Sequence, residues 1–368
     1  MKRTAIIFVF LMNVSALFAC TSAIISGEKT LNGRPILWKH RDTGEENNKV
    51  ERIAATASTF AYVALFNASD VECKNAWMGY NSEGFALMNT ASYNLKNDDV
   101  PASEMDKEGV LMSNALAVCR TVDDFEAFLK NYPKPMCVEA NFGVIDALGN
   151  GAYFETNNSE YTRYDLKDTP DGVLIRTNYS YSGRTDEGKG YIRHENARHL
   201  FARHIAACDF TPAVLTEEVS RSYYHSLLDE DYGKKDVEWV VDQDFIPRYT
   251  STATCAIEGV KKGEDAINTT MWIGLGFPPC SEIRTVWLWD GGLPEELRGI
   301  GADGHSPLCD KVVARKHEVF SIVRGSGEHY INFKKLYNSE GTGYCQILVP
   351  MNLETYKQGY RTLEQRRK

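Results

Sequence analysis

The chain has 368 residues, 43% hydrophobic and 11% aromatic, ample for a buried core and consistent with one large domain or two average ones. Its formal net charge of −9 argues against nucleic acid or an anionic membrane surface as a partner. The nine cysteines, at 20, 73, 119, 137, 208, 255, 280, 309 and 345, include no C-x-x-C pair, which argues against a zinc ribbon or a thioredoxin-type site.

Lys2 and Arg3 precede a mostly apolar run over 5–18, and Ala19 is a small residue at its end. This pattern predicts a secretory leader over 1–19. The run is too short for a membrane span of about 20 residues. The expected layout is therefore a leader, 1–19, and a single exported domain, 20–368, periplasmic or extracellular. Export permits disulfides, and eight cysteines could pair and leave Cys20 free. Most of the eight read more simply as buried, inert thiols.

Leu17-Phe18-Ala19-Cys20 loosely matches a lipobox, with Phe18 a poor fit. A lipoprotein usually continues into a polar tether, whereas Thr21-Ser22-Ala23-Ile24-Ile25-Ser26 alternates as a strand at once. That favours a cysteine at the head of a sheet, inside the fold. An exported lipoprotein of binding function, lipidated on Cys20 and so held at a membrane, is the alternative.

Further strands are predicted over 35–39, 59–66, 85–90, 138–146, 151–156, 172–178, 252–258, 270–274 and 284–288. They are rich in β-branched and aromatic residues and bounded by turns such as Gly149-Asn150-Gly151 and Asp290-Gly291. Helices are predicted over 109–120, from the capping start Thr121-Val122-Asp123-Asp124 to before Pro133, and over 188–207 and 212–228. Strands in runs and helices in pairs imply a layered α+β fold with antiparallel sheets.

Cys20 is the sharpest chemical candidate. A free α-amine titrates near 8 and sits on the same residue as the thiol, so it can take the thiol proton without a histidine. The block GRPILWKHRD at 33–42 runs a strand into a charge cluster. A hairpin through 29–32 would return that cluster to Cys20. Asp42 could then accept from the amine or orient the thiol, and Lys39 or Arg41 would favour the thiolate.

CTSAIIS followed by GRPILWKHRD resembles the opening of N-terminal nucleophile (Ntn) hydrolases of the choloylglycine hydrolase and penicillin V acylase group. It is also similar to the acyl-CoA:6-aminopenicillanic acid acyltransferase group. The resemblance implies a four-layer αββα sandwich with antiparallel sheets and Cys20 as nucleophile. It implies Asp42 as the second-strand Asp, with Lys39 where choloylglycine hydrolases carry Arg and Arg41 adjacent. YNSEGFALMNT at 80–90 resembles the family's turn and strand that end in an oxyanion-hole Asn, here Asn89; Asn81 belongs to the turn. GVLIRTNY at 172–179 resembles the strand ending in Thr-Asn, which makes Asn178 a site residue. GYIRHENAR at 190–198 resembles the helix carrying an active-site Arg, for which Arg193 is preferred to Arg198. The resemblance runs over about 20–200 and is looser beyond.

The implied reaction is cleavage of a linear amide of a small N-acyl substrate, or acyl transfer. Neither a metal nor an organic cofactor is implied. The resemblance leaves the substrate and the oligomeric state open, a homo-oligomer included. Other signals carry less. GIGADG at 299–304 fits G-x-G-x-x-G without the strand and helix that dinucleotide binding needs. His194, His199 and His204 are spaced by five, wrong for stacked metal ligands, and read as solvated or capping. Asp229-Glu230-Asp231 lacks EF-hand spacing, and no G-x-S-x-G is present.

Overall fold

The computed structural model describes residues 19–96, 100–325 and 327–366. Of the expected leader only Ala19 falls among them.

Among the described residues eighteen strands follow in chain order. The first ten are β1 (Thr21–Ile25), β2 (Ile36–Asp42), β3 (Asn48–Ile53), β4 (Tyr62–Asn67), β5 (Met78–Asn81), β6 (Ala86–Ala91), β7 (Ala140–Ile145), β8 (Gly151–Thr156), β9 (Tyr161–Asp165) and β10 (Val173–Arg176). The rest are β11 (Tyr224–His225), β12 (Glu230–Asp231), β13 (Trp239–Val241), β14 (Ser251–Glu258), β15 (Thr270–Leu275), β16 (Arg284–Val286), β17 (Ile322–Val323) and β18 (His329–Asn332). Six α-helices accompany them: α1 (Glu108–Val118), α2 (Val122–Asn131), α3 (Tyr191–Ala207), α4 (Pro307–Val319), α5 (Phe333–Leu336) and α6 (Tyr344–Arg366).

One sheet is six-stranded, ordered β10-β1-β2-β14-β15-β16, with every pair antiparallel. The other is a seven-stranded antiparallel meander of β3 to β9 in sequence order. The two pack face to face over Ile24, Leu37, Leu65, Met88, Tyr153 and Ile273, among others. Strand alternation sends Leu87, Phe142 and Phe154 to the meander's outer face, where Leu111, Leu116 and Phe125 of α1 and α2 cover them. On the outer face of the six-stranded sheet, Trp38, Ile25 and Ile175 meet Phe201 of α3 and Leu215 of a π-helical turn, Val214–Val219. Trp272 meets Tyr356 of α6 there as well. The fold is thus the expected α+β sandwich, layered αββα. A small sheet, β13-β18-β17, stands outside the sandwich.

Local signals explain several elements. Thr121 Oγ1 accepts from the Asp124 amide at 3.0 Å while Asp124 Oδ2 accepts from the Thr121 amide at 3.1 Å, a reciprocal cap that starts α2. Asn81 serves the turn it was assigned to. Its Oδ1 accepts from the Glu83 and Phe85 amides, and its Nδ2 ties the turn to the Leu116 and Cys119 carbonyls at the end of α1.

Other expectations fail. The helix expected over 212–228 ends at Val219. Tertiary bonds override its periodicity: Trp38 Nε1 donates to Ser220 Oγ, and the Arg221 guanidinium is pulled onto the carbonyls of Pro279 and Ser281. Helices α4 and α6 lie outside every stretch expected to be helical. α6 carries Pro350 internally and Gly359 against Trp272, where a Cβ would come within 2.3 Å of the indole. Its helical pattern is thus broken by Pro350 and by a glycine that the close approach of Trp272 requires. Histidines 194 and 204 are buried rather than solvated. His194 Nε2 meets the Tyr181 hydroxyl at 2.9 Å, and His204 Nδ1 meets Asp209 at 2.6 Å.

Candidate active site

β1 begins one residue after Cys20, and its register against β2 pairs Thr21 with His40 and Ser22 with Lys39. Cys20 therefore stands beside the end of β2, as the expected hairpin requires. It is 5% exposed, and its Sγ lies 3.8 Å from the Asp42 carbonyl oxygen.

Alternation along β2 splits the charge cluster between two faces. Lys39 and Arg41 point toward the meander. The Lys39 ammonium donates to Asn89 Oδ1 at 2.8 Å and to the Trp77 carbonyl at 3.0 Å. Arg41 donates to the side-chain oxygens of Asn48 and, at 2.7 Å, Asn67, with its guanidinium over the Trp77 ring. Amides hydrate these cations in place of water. Burial pulls Lys39 down to about 8, opposed chiefly by the negative charge of a Cys20 thiolate. Arg41 falls to about 10 for the same reason.

His40 and Asp42 point the other way. Asp42 Oδ2 accepts from Arg248 through Nε at 3.1 Å and Nη2 at 2.7 Å, and Oδ1 accepts from Ser251 Oγ at 2.6 Å. His40 Nε2 is 2.8 Å from the same Ser251 oxygen. Burial, helped by Arg248 and opposed by Asp42, pushes His40 down to about 4, so the ring is neutral. Because the serine proton goes to Asp42, His40 must donate from Nε2, which leaves Nδ1 without a partner among the described residues.

Two arginines hold the main chain on either side of the Cys20 nitrogen. Arg248 Nη2 donates to the Ala19 carbonyl at 2.9 Å. Arg193 Nη1 donates to the Cys20 carbonyl at 2.6 Å and to Thr21 Oγ1 at 3.1 Å. Arg193 Nη2 donates to Asn178 Oδ1 at 2.7 Å, and Asn178 Nδ2 donates to the Ala91 carbonyl at 2.8 Å. Burial and the nearby Arg248 lower Arg193 to about 9, against the pull of Asp42 and Cys20.

Cys20, Lys39, Asp42, Asn178 and Arg193 thus share one end of the sandwich. Asn89 joins them through Lys39, which takes its side-chain oxygen and leaves its N–H₂ as the free end to donate. Arg198 points away, its side chain 64% exposed. Sequence reasoning missed Arg248 and Ser251. Their signal is positional: β14 pairs with β2 so that Ser251 faces Asp42. Nothing local to 248–251 announces that pairing.

Cavities of about 620, 560 and 370 Å³ lie elsewhere, the largest lined by Arg34, Lys261 and Tyr360, and none of the three is lined by Cys20. Among the described residues no group of three His, Cys, Asp or Glu side chains could hold a metal ion.

An αββα sandwich with a cysteine at the head of an inner strand, ringed by buried ionic groups, is the class that fold and site define. No family model and no curated protein matches the chain. Solved structures similar to it include a mutant conjugated bile acid hydrolase from Clostridium perfringens, at 10% identity and TM-score 0.45 over 73% of this chain and 92% of that one. A Caenorhabditis elegans ortholog of N-acylethanolamine-hydrolyzing acid amidase follows, at 12% identity and TM-score 0.41 over 65% and 92%. Penicillin V acylase from Agrobacterium tumefaciens gives 11% identity and TM-score 0.38 over 73% and 86%. The layering described above rests on this chain's own strand pairings.

Proposed function

We propose that the chain is a cysteine amidohydrolase in which Cys20, once it is the N-terminal residue, cleaves a linear amide of a small N-acyl substrate. The observation that carries this reading is what remains around Cys20 once Ala19 is removed: Arg193 on its own carbonyl, and Arg248 on Asp42, whose carbonyl oxygen lies beside the thiol. An inert core cysteine has no use for buried ionic groups gathered at the head of its strand.

In this mechanism the Cys20 α-amine takes the thiol proton, and the thiolate forms a bond to the substrate carbonyl carbon. Lys39, its ammonium sensing the thiolate charge, stabilises that anion. The oxyanion receives donors from Asn89 and backbone N–H groups; one such donor is typically worth about 3–4 kcal/mol. The C–N bond then breaks as the Cys20 ammonium returns its proton to the leaving amine. Water attacks the thioester, the acid departs, and the thiol is restored. Transfer of the acyl group to an acceptor amine uses the same intermediate. Asp42, clamped by Arg248 and Ser251, fixes the end of β2 whose carbonyl oxygen lies beside the Cys20 thiol. The sequence of steps balances with no metal or organic cofactor.

Export belongs to this reading, since leader removal creates the base; the leader itself lies outside the described residues but for Ala19. The burial of Cys20 and the strand that starts at Thr21 support this reading over that of a lipid anchor.

The test is mass spectrometry of the mature N-terminus together with amine release from a panel of N-acyl amides. The expected result is an unmodified Cys20 and turnover that Cys20→Ser abolishes in a folded protein. An acylated Cys20, or a serine variant as active as the parent, would overturn the proposal.

A further inference from the structure

The small sheet outside the sandwich reaches the candidate site through one side chain. Asp242 follows β13 directly, and its amide donates to the His329 carbonyl of β18 at 2.9 Å. Its Oδ2 accepts from the Tyr249 amide at 2.8 Å, closing a loop from 242 to 249 that carries Arg248. Its Oδ1 is buried without a hydrogen-bond partner among the described residues. On the other side, the Arg248 amide donates to Ser251 Oγ at 3.0 Å. Arg248 therefore sits between two fixed amides. One answers to Ser251, itself bonded to Asp42, and the other to Asp242.

We propose that Asp242 is a positioning residue: it holds the Tyr249 amide from the small sheet and so aims the Arg248 guanidinium at Asp42. This rests on the amidohydrolase reading only where turnover is the readout. The charged groups around Asp242 are Arg248, Asp42 of β2 and Lys316 of α4. The Lys316 ammonium lies over the Tyr249 ring, which also stacks on His329 and meets Phe320 edge-on. Burial, with Asp42 adding to it, raises the Asp242 carboxyl to about 7. Below that pH the side chain is a neutral acceptor, as an amide would be. Above it, a second carboxylate draws on the guanidinium that Asp42 holds.

The experiment compares the mature wild type with Asp242→Ala and Asp242→Asn, by kcat and KM from pH 5.5 to 8.5 (roughly one and a half pH units either side of that midpoint) and by hydrogen exchange at the Tyr249 amide. Asp242→Ala is expected to lower kcat about tenfold, the effect of losing roughly 1.4 kcal/mol of transition-state stabilisation, with KM little changed. It is also expected to speed Tyr249 exchange. Asp242→Asn is expected to match the wild type below about pH 6 and to diverge above about pH 7, because the amide imitates the protonated acid. Unchanged kcat and unchanged Tyr249 exchange in Asp242→Ala overturn the proposal, as do superimposable profiles for wild type and Asp242→Asn. A wild type inactive on every amide, with Tyr249 protection lost in Asp242→Ala, sinks the amidohydrolase reading and supports the anchoring.

Discussion

Arg248 closes on one carboxylate oxygen of Asp42, through Nε at 3.1 Å and Nη2 at 2.7 Å, although 206 residues separate the two in the chain. The Asp42 side chain is fully buried and that of Arg248 is 16% exposed. Removing the arginine strands a carboxylate in a low-dielectric site. Arg248→Ala is therefore expected to destabilise the fold by about 3–5 kcal/mol. It is also expected to cut kcat/KM by about a hundredfold or more. Urea unfolding and steady-state kinetics at pH 7.5, close to the usual α-amine pKa, check both. Arg248→Lys restores the charge without the two-point grip and should recover stability more than rate.

Lys39 gives an alkaline signature. Its folded value of about 8 lies below its ordinary 10.5. Between those values the unfolded chain binds the proton and the folded one does not, so stability rises with pH across that window. Relative to Lys39→Met, the wild type should gain roughly 2–3 kcal/mol between pH 7 and pH 10, at about 1.4 kcal/mol for each pH unit crossed. Parallel denaturation curves for the two proteins at both pH values would contradict a buried, desolvated ammonium.

His40 works at the acid end. It is neutral in the fold, with a value of about 4 against 6.5 when free. Its contribution is fully present above about 6.5 and is lost as pH falls toward 4. Glu108 and Asp242, both raised to about 7, titrate in the opposite sense over the same range, so raw stability mixes the three. The difference between wild type and His40→Gln isolates the histidine. The wild type should lose about 2–3 kcal/mol relative to the variant between pH 7 and pH 4.5. A constant difference would mean that the ring titrates in the fold as it does in the unfolded chain.

Phe125 tests the outer helical layer. Its ring meets Phe85, Phe142 and Phe154 of the meander and Phe128 of its own helix. Phe125→Ala should cost about 3–5 kcal/mol in stability while leaving kcat and KM of the folded protein unchanged. A loss of turnover in fully folded protein would place this layer closer to the chemistry than its position suggests.

The sequence made legible what is local. Alternation marked Thr21 to Ile25 and the strands after it, Thr121 announced α2, and the β1–β2 hairpin followed from a turn and two apolar runs. Cys20, Asp42 and Lys39 came with that hairpin, and Arg193 and Asn178 from short motifs. Arg248 stayed hidden because its role is created by β14 lying against β2, a pairing with no marker at either strand. The overextended helix past Val219 failed for a related reason, since distant carbonyls of Pro279 and Ser281 captured Arg221. Periodicity sees neither.

The pairing of β2 with β14 also orders events in time. A ribosome delivers Cys20, Lys39 and Asp42 long before Arg248, and a contact across so many residues is slow to close. Until β14 docks, Asp42 has neither its guanidinium nor its serine hydroxyl. In the proposed mechanism, competence therefore waits for the six-stranded sheet to assemble, and a nascent or half-folded chain is an unarmed one.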